Sequence, residues 1–240
     1  MPVNLVHRLL HRVGDGWDPI SREYAESYTA FASNSDGSEV VDKLERISGG
    51  LKGKAVLDLG GGPGQFSILF AERGACVTWH DISGEYERIA RNRAASRGVE
   101  IHFSRGYLED AKNLGTESFD LVFCRVCWCY SRSDRKFARL IYRLVKPGGV
   151  AYIDCNTPAF SKPTGFRLFQ HYLNTYFWWK IGHPMPPHGR IAKLLLEYPN
   201  SFMELDYRSQ LNDIVIFGKS PARNVAGEAR EAATTTKQAK

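Results

Sequence analysis

The spacing of hydrophobic positions changes twice along this chain. Over residues 21–31, Tyr24, Tyr28 and Phe31 recur at helical spacing, and over 39–47 Val40, Val41, Leu44 and Ile47 lie on one helical face. Ser48-Gly49-Gly50 ends that second helix. Residues 1–50 therefore predict a polar, helical N-terminal cap without strands. From residue 54 the period shortens. Apolar runs at 54–59, 76–80, 99–103, 119–124 and 150–154 predict buried strands. Between them 65–73, 85–97 and 135–145 predict helices, the first two stopped at Gly74 and Gly98, and Pro147-Gly148-Gly149 predicts a turn. Strands alternating with helices in this way make a parallel sheet covered on both faces. Residues 202–207 and 214–217 predict two more strands around a turn at 210–213. The period is lost over 221–240, which is rich in Ala, Thr, Lys and Glu and predicts a disordered tail.

Composition adds exclusions. The 240 residues are 43% hydrophobic and 24% charged, which excludes a disordered, collagen-like or coiled-coil chain. No run approaches the ~18 apolar residues of a membrane-spanning helix. The opening MPVNLVHRLLHRV lacks a clean apolar core and a small-residue cleavage site, so no secretory signal is expected. The five cysteines, at 76, 124, 127, 129 and 155, are odd in number and fall in strands or at strand ends. That placement fits free thiols in a reducing, cytoplasmic compartment. Cys124, Cys127 and Cys129 have no second Cys/His pair at zinc spacing, so no metal is expected. The net charge of +6 is mild.

The candidate chemistry begins where the first strand meets glycines: Val56-Leu57-Asp58-Leu59-Gly60-Gly61-Gly62-Pro63-Gly64-Gln65-Phe66. Open α/β sheets bind ligands at the carboxyl ends of their strands, and glycines let the backbone approach them. A phosphate loop would need Lys followed by Ser or Thr, which is absent. A G-x-G-x-x-G fingerprint fails in both registers, its third glycine falling on Gln65 or Ser67. What fits is D-x-G-x-G-x-G, read as Asp58, Gly60, Gly62 and Gly64. A carboxylate before the turn repels a pyrophosphate and suits a ligand with a cationic end.

This pattern resembles motif I of the class I S-adenosylmethionine-dependent methyltransferases of small-molecule type. The resemblance runs over about residues 54–155, through Trp79-His80-Asp81-Ile82-Ser83, Phe119-Asp120-Leu121-Val122 and Leu144-Val145-Lys146-Pro147-Gly148-Gly149. It implies a doubly wound, Rossmann-like seven-stranded sheet, mostly parallel with an antiparallel last strand, over residues 51–220. It also implies S-adenosyl-L-methionine as cofactor, held by Asp58, Gly60, Gly62, Gly64, Asp81, Ile82, Leu108, Glu109, Cys124 and Arg125. Asp81 would bond the ribose hydroxyls, and the loop at 106–110 the adenine. Arg125, at a strand's carboxyl end, is a candidate for the cofactor carboxylate. The chain departs from the family in two places. Gly106-Tyr107 stands where many relatives have Gly-Asp, which displaces the acid to Glu109 or Asp110. Cys127-Trp128-Cys129-Tyr130 stands where an acid–His pair is common.

The acceptor side is legible mainly in residues 155–196. They hold Lys162, Arg167, Lys180, Arg190 and Lys193 and no acidic residue, with His171, His183, His188 and eight aromatics. In the family this stretch forms a substrate lid, here placed at about 156–198. Phe166, Phe169, Leu173, Tyr176 and Phe177 share one helical face, which either packs on the sheet or meets the acceptor. The basic, aromatic composition suits a small anionic or amphiphilic, lipid-like acceptor, methylated on oxygen. Trp and Tyr there, and Leu5, Leu9 and Leu10 beside Arg8 and Arg12, also suit peripheral membrane contact. No catalytic residue is fixed; His183 and His188 are candidate bases. RNA methylation, disfavoured by modest charge and the lack of an RNA-binding module, and a cofactor-binding protein without transfer activity are the competing readings. Oligomeric state is left open.

Overall fold

In this computed structural model the described residues are 17–33 and 36–222, with Leu10 and Val13. Of the tail expected over 221–240, residues 223–240 lie outside them, as do Leu5, Arg8, Leu9 and Arg12. Two helices, α1 (Arg22–Ser33) and α2 (Ser38–Ile47), precede β1 (Ala55–Leu59), α3 (Gln65–Glu72), β2 (Cys76–Asp81), α4 (Gly84–Arg97) and β3 (Ile101–Arg105). A short 3-10 turn (Leu108–Leu114) leads to β4 (Phe119–Arg125) and a second one (Trp128–Tyr130) to α5 (Asp134–Leu144) and β5 (Val145–Asn156). The chain ends through α6 (Pro158–Ser161), α7 (Gly165–Phe177), α8 (Arg190–Leu195), β6 (Asn200–Asp206) and β7 (Asn212–Lys219).

The seven strands form one sheet in the order β3-β2-β1-β4-β5-β7-β6. β1 to β5 run parallel, and β7 runs antiparallel to both β5 and β6. The strand alternation divides the core. Leu57, Val122, Ile153 and Val215 meet Phe137 and Ile141 of α5 and Ile191 and Leu195 of α8 on one face. Val56, Leu121, Phe123 and Tyr152 meet Phe66 and Phe70 of α3 and Val41 and Leu44 of α2 on the other. Sequential parallel strands need crossover helices, and the period-two apolar runs supply both faces for them.

Two boundaries differ from the hydrophobic pattern. β3 begins at Ile101 because Gly98, at φ 65°, caps α4 and Val99 N–H still bonds the Ala94 carbonyl. The Pro147-Gly148-Gly149 turn is a bulge inside β5, where the register against β4 shifts between Phe119 and Leu121.

The lid differs more. The aromatic face of α7 does not pack on the sheet. Its buried residues are the polar His171 and Asn174, while Phe166, Phe169, Tyr176 and Phe177 are more than half exposed. Lys180 and Arg190 are buried as well, and so are not cations offered to an acceptor. Both bind Asp134: Lys180 Nζ donates to Oδ1 at 3.0 Å and Arg190 to Oδ2 at 3.2 Å. Lys180 also donates to Ser131 Oγ and the Trp128 carbonyl, and Arg190 to both oxygens of Asn174. This knot pins both sides of the loop between α7 and α8 to the N-terminus of α5.

Candidate active site

The glycine turn after β1 is built by its neighbours. Gly60 has φ 83°, and a Cβ there would lie 2.6 Å from Cys127 Sγ. Cys127 Sγ in turn donates to the Leu59 carbonyl at 3.1 Å. Gly64, at the start of α3, is pressed against Ala90 of α4. Gly62 is different: its φ is 48°, and a Cβ there would meet nothing within 4 Å. Gly60 and Gly64 are thus required by packing, and Gly62 opens onto a cleft lined by Tyr28, Asp58, Phe66, Phe123, Arg125 and Val126.

The backbone N–H groups of this turn face inward. Gly60 and Gly61 N–H donate to the His80 carbonyl, at 2.8 and 3.3 Å, and Gly64 N–H to the Gly61 carbonyl. Gly62 N–H donates to Asp81 Oδ2 at 3.0 Å, and Trp79 Nε1 fixes the Gly62 carbonyl. A phosphate site aims such groups at its ligand. This one spends them on its own fold and presents carboxylates instead.

Asp58 is buried and accepts from Ser67 Oγ at 2.6 Å. Burial pushes its carboxyl up to about 7, against the pull of the Ser67 bond, and Asp81 adds to the rise. Burial raises the Asp81 carboxyl too, opposed by the Ser83, Gly62 and Ile82 backbone groups. A cation bound beside these two carboxyls would favour their ionised forms and offset the cost of burying them.

Of the remaining predicted residues Arg125 lines this cleft, and the others stand on the strands and loops that flank it. Ile82, half-buried, follows Asp81 directly. Leu108 begins the 3-10 turn and faces Gly60. Glu109 Oε1 accepts Arg132 N–H at 2.7 Å, tying the loop after β3 to the loop after β4. Asp110 Oδ2 accepts Tyr107 N–H and shapes that turn. Cys124 is fully buried, its Sγ 3.2 Å from Cys127 Sγ, so its side chain belongs to the core. Arg125 lines the cleft, donating to Asp154 Oδ2 at 3.0 Å with its guanidinium 5.2 Å from the Phe66 ring. Asn212 holds the other oxygen of Asp154.

Val126 takes φ 60°, an uncommon conformation for a β-branched residue, and its N–H bonds the Asp154 carbonyl. Tyr28 of α1 covers the cleft, stacked on Tyr24 and tilted against Tyr86. Val126 and Asp154 carried no sequence signal, because each is placed by a tertiary contact, whereas the helical spacing of Tyr24 and Tyr28 made them candidates for the wall of the acceptor pocket. His183 lies edge-on to Tyr130. His188 Nδ1 lies against Asp213 Oδ1, its ring 4.5 Å from Tyr207, in a loop that Asp213 also anchors through Gly189 N–H. The two histidines are not brought together.

Residues 56–149 match the family model of a methyltransferase domain. Among curated proteins, the chain is 36% identical over 113 residues to a ubiquinone biosynthesis O-methyltransferase of Aeromonas salmonicida (strain A449). That match covers 47% of this chain and 48% of the relative, so the chain spans about half the length of the curated protein it matches. A protein of the same description from Idiomarina loihiensis (strain ATCC BAA-735 / DSM 15497 / L2-TR) is 29% identical over 176 residues, covering 73% of this chain and 68% of the relative. A solved structure from Methanococcus maripaludis, described as an S-adenosyl-L-methionine-dependent methyltransferase, has the same fold. Its TM-score is 0.63 at 16% identity, covering 89% of this chain and all of the other.

Proposed function

We propose that this protein is a class I S-adenosylmethionine-dependent methyltransferase, a reading supported by the match of residues 56–149 to a methyltransferase-domain model, and that it methylates an oxygen of a small anionic or lipid-like acceptor. The observation that carries the reading is the glycine turn. Its N–H groups are consumed by His80 and Asp81, while Asp58 and Asp81 flank the one open glycine, Gly62. That donor set fits a cofactor with a cationic end and a diol, and excludes a phosphate. S-adenosyl-L-methionine supplies an already activated methyl group. In this reading Asp81 takes the ribose hydroxyls and Asp58 the cationic end. Ile82, Leu108 and Glu109 border the adenine. Gly60, Gly64 and Cys124 act through the shape of the backbone.

The chain's remaining work is alignment, exclusion of water and, for a hydroxyl acceptor, removal of one proton. Tyr28 closes the cleft from above, and Arg125, held by Asp154, presents its guanidinium along one wall. His183 and His188 remain the candidate bases. His183 is favoured because its ring meets Tyr130, in the segment that runs on from Arg125 and Val126 of the cleft. The O-methyltransferase names of the ubiquinone biosynthesis relatives support an oxygen acceptor. Five cysteines without a disulfide among them support a reducing, cytoplasmic setting.

The test is calorimetric titration with S-adenosylmethionine, then a mass-resolved transfer assay on phenolic acids with and without an alkyl tail. Micromolar cofactor binding, and methylation that improves with the tail, is expected. His183→Ala should lower turnover by about 100-fold or more, and His188→Ala much less. Failure of the folded protein to bind the cofactor overturns the reading.

A further inference from the structure

The helix α7 is inside out. Over Gly165–Phe177 it turns the polar His171 and Asn174 into the protein and points its large apolar side chains at solvent. The inward side is committed: Asn174 Nδ2 donates to the Met185 carbonyl and both Asn174 oxygens receive Arg190. Rolling the helix to bury its aromatics would break those bonds. The outward side carries Phe166, Phe169, Tyr172, Tyr176, Phe177 and Trp179, each between 52% and 67% exposed. A contiguous apolar face of this kind marks a contact surface.

Charge identifies the partner. With Lys180 and Arg190 buried against Asp134, the exposed cations of the lid are Lys162, Arg167 and Lys193. No Asp or Glu occurs from residue 155 to 196 to oppose them. A second copy packed face to face would set these like charges against each other. Phe, Tyr and Trp side chains among unopposed Lys and Arg match the boundary between acyl chains and anionic headgroups. A helix of 13 residues extends about 20 Å, too short to cross a bilayer and enough to lie on one. Among the described residues no helix is long and apolar enough to cross a membrane.

We propose that α7 docks this protein peripherally on a bilayer containing anionic lipids, with the carboxyl edge of the sheet turned toward the membrane. α7 follows the end of β5, and its far end is held at the loop after β4, so docking sets the acceptor side of the site against the lipid. The docking stands on the exposed face alone; only its use, delivery of a lipid-like acceptor, rests on the proposed function.

Co-sedimentation of the full chain with phosphatidylcholine vesicles, with and without phosphatidylglycerol, tests it. Partitioning should be about tenfold or more stronger with phosphatidylglycerol, and Lys162→Glu with Arg167→Glu should lower it by about tenfold or more. Phe166→Ser, Phe169→Ser and Phe177→Ser together should reduce it to background, with circular dichroism and cofactor titration unchanged. Absence of sedimentation with either vesicle overturns the proposal. So does a wild-type dimer in solution that the triple serine variant makes monomeric, since the face would then belong to a second copy. Vesicle binding by a protein that takes up no cofactor would overturn the methyltransferase reading and leave the docking standing.

Discussion

Asp81 Oδ2 accepts the backbone N–H of Gly62, nineteen residues earlier in the chain, at 3.0 Å. Its other oxygen accepts Ser83 N–H at 3.0 Å, at the start of α4. One carboxyl therefore fixes both the glycine turn and the helix beside it. Hydrogen bonds to a charged group are worth about 1.5–3 kcal/mol. Asp81→Ala is expected to weaken S-adenosylmethionine binding by about 10- to 100-fold in calorimetric titration, and Asp81→Asn by less. Wild-type affinity in Asp81→Ala would remove this residue from the site.

Gly60 and Gly62 sit two positions apart and should fail in different ways. Alanine at either meets a left-handed φ, costing about 1–2 kcal/mol. At Gly60 the methyl group also collides with Cys127, adding about 1–3 kcal/mol of overpacking. Gly60→Ala is therefore expected to lower the melting temperature clearly more than Gly62→Ala. Gly62→Ala should instead lose cofactor affinity, because its methyl group enters the cleft. Equal melting temperatures for the two variants would contradict the packing assigned to Gly60.

How much of this could be read from the sequence follows from where each determinant lies. The strand–helix rhythm and the Asp58-to-Gly64 turn were legible because period and glycine spacing are local properties. The inverted α7 was not. Its apolar periodicity is real, but a hydrophobic stripe does not say which side faces the protein. Asn174, bonded to Arg190 sixteen residues away, decides that. Likewise the basic residues of the lid looked alike in sequence, and only the position of Asp134 separates buried Lys180 and Arg190 from exposed Lys162 and Arg167. The helical spacing of Tyr28 is a local mark, but Val126 and Asp154 reach the cleft through strand register, which leaves none.

The raised Asp58 carboxyl makes cofactor binding pH-dependent. An unfolded Asp ionises near 3.8, and in the folded protein burial moves this to about 7. Between those values the folded state holds a proton that the unfolded state has released. Asp58 therefore lowers the stability of the free protein as pH rises from about 4 to 7, with no further change above. A cationic ligand demands the ionised form, so binding at pH 6 should release a proton into buffer. Calorimetry in buffers of different ionisation enthalpy should detect that release, and affinity should rise toward pH 8. Asp81, raised by burial as well, contributes in the same direction. Asp58→Asn should remove the dependence near neutrality; an unchanged profile in that variant would assign it elsewhere.

Asp134 joins the lid to the domain, and its loss should release the lid before it unfolds the sheet. Its oxygens receive Trp128 Nε1, Lys180 and Arg190, and it stands at the first position of α5, where the helix dipole favours an anion. Removing the carboxylate leaves two buried cations beside the positive end of that dipole. Breaking a buried ion pair from one side costs about 3–5 kcal/mol. Asp134→Ala is thus expected to lower stability by that order in urea denaturation. It should also open the loop from Gly182 to Gly189 to limited proteolysis at urea concentrations where the sheet remains folded. Lys180→Met should cost less, since Asp134 keeps Arg190 and the methionine fills the same space. If instead Lys180→Met proved as damaging as Asp134→Ala, the knot would be held by the lysine's contacts with Ser131 and Trp128 rather than by the shared carboxylate.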